Sequence, residues 1–174
     1  MHTRAWTCAV AAAVVLVGCG TTGGNTVTDV APPTPGGTHT CVFTPCQIQV
    51  WVDETSTPPK VQADFTTMKM YTRTQSATIV WALINSQNYE FRHDDPSKYY
   101  DPIIFKGPNI ANAPNQFDPA SWKLPSPRQI SVTNANTDKL KYDYTIRVYV
   151  KRTPANPNPN PAFYELDPAI INDY

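Results

Sequence analysis

Lys141-Tyr142-Asp143-Tyr144-Thr145-Ile146-Arg147-Val148-Tyr149-Val150 is the most regular stretch of this chain. Tyr142, Tyr144, Ile146, Val148 and Val150 alternate with Asp143, Thr145, Arg147 and Tyr149. A period of two residues sends alternate side chains to opposite faces of a sheet, so the stretch predicts a strand with one face on a core. Working outward, the same alternation recurs in shorter pieces. Ile48, Val50 and Val52 share one face of 47–53, with Trp51 on the outward face. Val61, Ala63 and Phe65 alternate next, followed by Met68 with Met70, then by Ile130 with Val132. Residues 77–84 (ATIVWALI) are apolar on both faces and predict a central strand with Trp81 in its middle. Ile103–Phe105 is a short apolar run, and Phe163–Leu166 and Ala169–Asn172 form a last segment broken at Pro168. Beyond the N-terminal segment, no stretch sustains a helical apolar period for three turns. The expectation is an all-β domain, an antiparallel two-sheet sandwich of about seven strands.

Composition agrees. The chain has 174 residues and 18 prolines, all of them after residue 31. Proline removes a backbone donor and disfavours long helices, so this content favours short strands, turns and extended connections. Seven prolines fall within residues 92–127, a long connection rich in aromatic residues. Residues 153–161 (TPANPNPNP) predict a polyproline-like loop. Lys and Arg together equal Asp and Glu at 14 each. A near-neutral surface argues against nucleic acid as a partner, because phosphate binding needs a basic one.

Asp138-Lys139-Leu140-Lys141-Tyr142-Asp143-Tyr144 resembles the D-x-[small or apolar]-x-Y-x-C stretch that opens strand F of immunoglobulin-like domains. The resemblance implies that Tyr142 makes a corner by hydrogen-bonding back to the backbone, and that Trp81 is the core tryptophan of strand C. It covers residues 47–172. Tyr144 stands where that family has its second cysteine, so an inter-sheet disulfide is excluded.

The N-terminus carries a second resemblance. His2 and Arg4 precede an unbroken apolar run, Ala9–Val17, that includes no acid. It is too short to cross a bilayer, which needs about 20 residues, and has the anatomy of a secretory signal peptide. Leu16-Val17-Gly18-Cys19 at its end resembles the lipobox of bacterial lipoproteins. The resemblance implies cleavage before Cys19, a diacylglycerol on its sulfur and acylation, typically by palmitate, of the new N-terminus. Gly20 after the cysteine implies sorting to the outer membrane, facing the periplasm or the cell surface. Single acyl chains bind membranes reversibly, whereas two or more hold a protein firmly. The expected organisation is a signal peptide over 1–18, a lipidated cysteine and flexible linker over 19–40, and the sandwich over 41–174. Loss of residues 1–18 removes Arg4 and Cys8 and leaves a formal charge of −1.

Cys41 and Cys46 then remain besides Cys19. A compartment beyond the inner membrane is oxidising, and the pair reads as a disulfide. Its short loop limits the entropic gain to roughly 2 kcal/mol. A metal site would need more ligands than nearby His39 supplies, and a redox dithiol has two intervening residues rather than four.

Signs of catalysis are sparse. The only histidines after residue 18 are His39 and His93, and no nucleophile elbow, zincin or phosphate-loop motif is present. Asp94, Asp95 and Asp101 offer oxygens for calcium, but Asp-Pro turn capping accounts for two of them and the regular loop spacing is missing. No enzyme, cofactor or metal is expected. The aromatic residues Tyr99, Tyr100 and Trp122 are the candidate contacts for a ligand or partner, or else a satellite core under the long connection. The expected role is non-catalytic interaction or assembly in the cell envelope: membrane attachment through the lipid, with an envelope protein as partner. The alternative is a carbohydrate- or glycan-binding module that uses the loop aromatics.

Overall fold

The structure is a computed structural model that describes residues 32–71, 76–92, 102–154 and 162–173. Among the described residues the strands are β1 (Thr38–Cys41), β2 (Cys46–Asp53), β3 (Lys60–Ala63), β4 (Thr67–Met70), β5 (Ala77–Leu83) and β6 (Tyr89–Glu90). They continue with β7 (Ile103–Lys106), β8 (Lys123–Ser126), β9 (Gln129–Asn134), β10 (Lys141–Val150), β11 (Phe163–Leu166) and β12 (Ala169–Asn172). Among the described residues the one short α-helix, α1 (Ala113–Gln116), lies between 3-10 turns at Ile110–Asn112 and Pro119–Ser121.

Two sheets share one hydrophobic core in a sandwich-like arrangement. The first has the order β1-β4-β12-β10-β11, with β6 and β7 on the other side of β10; the second has the order β3-β2-β5-β9-β8. The opening stretch of β10 is the spine of the first sheet. Tyr142, Tyr144, Ile146 and Val148 are buried at 0–1% exposure, as alternation predicts. Facing them from the second sheet are Ile48, Val50, Ile79, Trp81, Leu83, Ile130 and Val132, all in the same cluster. Burying each such side chain contributes about 1.5–3 kcal/mol.

Proline placement explains a local detail. β11 and β12 keep one register against β10, from Ile146 opposite Leu166 to Asp143 opposite Ala169. Pro168 interrupts the ladder because it has no N–H, yet its carbonyl still accepts from the Tyr144 N–H at 3.1 Å.

Five expectations are corrected. First, the sheets are mixed rather than antiparallel: β1 with β4, β4 with β12, and β2 with β5 all run parallel. After β2 the chain turns back as β3, crosses to the other sheet as β4 and returns as β5, which restores the original direction. Second, there are more strands than about seven. β1 (THTC) is polar, β6 has two residues, and β8 carries Pro125 with an exposed pattern, so none has a period-two signal. Third, the first strand begins at Thr38, inside the stretch read from composition as linker. Fourth, Trp81 and Tyr142 lie in opposite sheets, on β5 and β10, whereas strands C and F of an immunoglobulin domain share one sheet. Trp51 also differs from its outward reading: it is buried at 5% exposure, so β2 is covered on both faces there.

Candidate functional site

Of the residues singled out from sequence, Cys19, Tyr99 and Tyr100 lie outside the described residues, as do His93, Asp94, Asp95 and Asp101. Cys41, Cys46 and Trp122 are described. Three places merit construction from their residues: the centre of the sandwich, a polar knot at its edge, and the loop closed by the two cysteines.

At the centre, the Trp81 indole N–H donates to the Tyr144 hydroxyl at 3.1 Å, across the two sheets. Their rings meet edge to face at 5.7 Å. Trp81 is on β5 and Tyr144 on β10, so this hydrogen bond links the two sheets through the core. Burial pushes the Tyr144 phenol well above its usual range, so it remains protonated at neutral pH. Trp122 stacks on Trp81 at 6.0 Å and meets Phe105 at 6.3 Å. One face of the ring proposed as a contact is therefore taken by the core, against which it is partly buried.

The polar knot gathers the ends of β9 and β12, α1 and the β9–β10 connection. Asn134 and Asn172 end their strands and are 0% and 1% exposed. The Asn134 amide donates to Asn172 Oδ1 at 2.8 Å, and Asn134 Oδ1 accepts from the Asn136 N–H at 2.9 Å. Asn136 has φ 51°, a left-handed conformation that asparagine tolerates better than most residues. Asn172 Nδ2 donates to Gln116 Oε1 at 3.2 Å and to Asp138 Oδ1 at 3.0 Å. Gln116 in turn exchanges bonds with Thr137, donating to Oγ1 at 2.7 Å and accepting from its N–H at 2.9 Å.

Tyr142 completes the knot and corrects the corner expectation. Its hydroxyl donates to the Asp138 carboxylate, not to a backbone carbonyl. The residue pair is the one the resemblance singled out, but the acceptor differs because Asp138 turns inward to meet Asn172. Burial, then the bond to Asp138, raises the Tyr142 phenol above its ordinary range. Asn134, Asn172, Gln116, Thr137, Asp138 and Tyr142 each serve in the knot as donor or acceptor. Asparagines at the ends of two apolar strands were the signal for it, but composition alone reads them as turn residues.

The third place is the loop 42–45. Cys41 and Cys46 form the expected disulfide, with Cα atoms 5.9 Å apart and both residues 3% exposed. The loop between them turns outward: Phe43 is 82% exposed and Val42 49%. The Tyr71 N–H donates to the Cys41 carbonyl at 2.8 Å and the Thr78 N–H to Thr44 Oγ1 at 2.9 Å, which ties the base of the loop to both sheets.

Among the described residues, concavities also lie elsewhere. Glu90–Arg92 and Leu124–Pro127 line an open cleft of about 400 Å³, where Glu90 sits 3.6 Å from the buried Arg92. Glu54, Asn85, Gln87, Asn88 and Tyr89 line a polar pocket of about 230 Å³. There burial, then the Glu54 carboxylate, pushes the Tyr89 phenol up to about 12. Among the described residues no group of three or more His, Cys, Asp or Glu is placed to hold a metal ion.

No protein-family model matches the chain, and no curated protein matches it.

Proposed function

We propose that this chain is a lipid-anchored envelope protein whose sandwich-like domain acts by non-catalytic interaction. The observation that carries the reading is Leu16-Val17-Gly18-Cys19 at the end of Ala9–Val17. The domain that follows supports it. Its core is closed by hydrogen bonds between Trp81 and Tyr144 and within the Asn134–Asn172 knot. Its cysteine pair is joined, as suits an oxidising compartment. Trp122 spends a face on the core, so among the described residues no observation favours a glycan platform over a protein partner.

The reading is tested by fractionation followed by cross-linking in the intact envelope. Wild-type protein is expected with membranes, and Cys19→Ala protein is expected released. Cross-linking of the anchored protein is expected to give a discrete adduct with an envelope protein that the released protein does not form. Equal release of both proteins removes the anchor; membrane retention with no protein adduct removes the interaction role.

A further inference from the structure

We propose that the disulfide-closed loop 42–45, with Tyr71 at its base, seats in the headgroup region of a lipid bilayer. This rests on the lipid-anchor reading of Cys19 and deepens it: the domain touches the membrane with its own side chains.

The first observation is exposure. Val42, Phe43 and Tyr71 are half of the six large exposed hydrophobics among the described residues, at 49%, 82% and 48%. Single exposed apolar residues are ordinary, but three at one tip are a patch. Phe43 is the most exposed of the three, and the amphipathic Tyr71 is tied to the base of the loop by its N–H bond to Cys41. Aromatic residues of that kind favour the boundary between headgroups and acyl chains.

The second observation is preorganisation. Cys41 and Cys46 turn into the core while the residues between them turn out, and the disulfide closes the loop. Little conformational freedom is then lost when Phe43 meets another phase.

The third observation is charge. Residues 30–52 contain no Asp, Glu, Lys or Arg. In the sheet beside the loop, Lys69 on β4 pairs with Thr40, and the acid Asp173 lies by β12, its N–H reaching the Met70 carbonyl at 3.0 Å. It follows β12, so β4 and Tyr71 stand between it and the loop.

The occupant follows from the chain upstream. Eighteen residues separate Cys19 from Thr38. Even fully extended, that segment spans at most about 65 Å. A lipid on Cys19 therefore keeps the tip within reach of one particular surface at all times, and that surface is a bilayer. Four residues of β1 are all that separate the segment from the loop.

The test uses the full-length, lipid-modified protein in vesicles of phosphatidylethanolamine and phosphatidylglycerol. Phe43→Trp places an indole in the loop, and Leu124→Trp, on β8 at the far edge of the other sheet, is the control; emission of the unsubstituted protein is subtracted. With brominated acyl chains, the added emission of Phe43→Trp is expected to fall at least about twofold, and that of Leu124→Trp to stay unchanged. A loop indole quenched by aqueous iodide but not by brominated lipid, in protein that floats with the vesicles, overturns the inference and leaves the anchor intact. Quenching of the loop indole by neither agent signals a protein contact and also overturns it. Protein that does not float overturns the anchor reading, and this inference with it.

Discussion

Cys41 and Asn172 lie in the same row of the first sheet, each paired with Met70 from opposite sides. They are two strand spacings apart, about 10 Å. The chain nevertheless uses the two positions in opposite ways. At Asn172 the side chains of Asn134, Asn172, Gln116 and Asp138 are joined by hydrogen bonds, and the knot closes the end of the core. Next to Cys41 a disulfide turns Val42 and Phe43 outward, away from the core altogether. One end of this domain thus holds both a seal and a projection. The seal should matter for stability, and the projection should matter for contact.

The largest effect is expected at the seal. Asn172→Ala strips a partner from the buried amide of Asn134 and a donor from Gln116 and Asp138. Unpaired buried groups of this kind cost about 3 kcal/mol together. The urea midpoint should fall accordingly; an unchanged midpoint would show that the knot is dispensable. Next comes the Cys41→Ala, Cys46→Ala pair, expected to lower stability by roughly 2 kcal/mol through the lost loop constraint. Tyr142→Phe follows at about 1.5 kcal/mol, because its hydroxyl donates to a carboxylate. If Tyr142→Phe proved more harmful than Asn172→Ala, Tyr142 and not the asparagines would be the centre of the seal.

Smaller still is a surface pair. The Lys106 ammonium, then the Thr145 hydroxyl, hold the Asp167 carboxyl below its usual range. A lowered folded-state pKa contributes stability above the unfolded value near 3.8, and that contribution is lost as pH falls through the folded value. Asp167 is 62% exposed on its side chain. Solvent screening therefore limits the effect of Asp167→Asn at neutral pH to about 0.5 kcal/mol or less. Asp64 has the opposite sign: burial raises its carboxyl, so its contribution is present at low pH and lost as pH rises through its folded value. Acid titration of Asp167→Asn against wild type should show the difference closing below the normal carboxylate range. Last, Phe43→Ala should leave the unfolding midpoint unchanged, since an 82% exposed ring has little burial to lose. A clear loss there would make Phe43 part of the fold and erase the contrast between seal and projection.

The strands with alternating side chains were legible from sequence because burial on one face of a sheet writes a period of two. β2, β5, β9, β10, β11 and β12 all lie where that period or an apolar run places them. β1, β6 and β8 were not legible, since an edge strand of polar or proline-bearing residues carries no such period. Strand direction was also hidden. Nothing local distinguishes the parallel pairing of β2 with β5 from an antiparallel one, because it depends on where the chain crosses between sheets. The cysteine pair was legible from its setting, but the outward turn of Phe43 was not. Sequence shows two apolar residues, Val42 and Phe43, between two cysteines and does not show which of the four the core accepts. The polar knot was invisible for a related reason: Asn134, Asn136 and Asp138 have turn composition, and only the fold brings Asn172 and Gln116 to them.

Attachment to the membrane through Cys19 is most directly tested by intact mass spectrometry of the protein extracted from its membranes. The expected mass is that of residues 19–174 carrying a diacylglycerol and a further acyl chain, less the two hydrogens removed by the Cys41–Cys46 bond. A polypeptide without lipid, or one whose first residue is not Cys19, would contradict the anchor and the interaction role built on it.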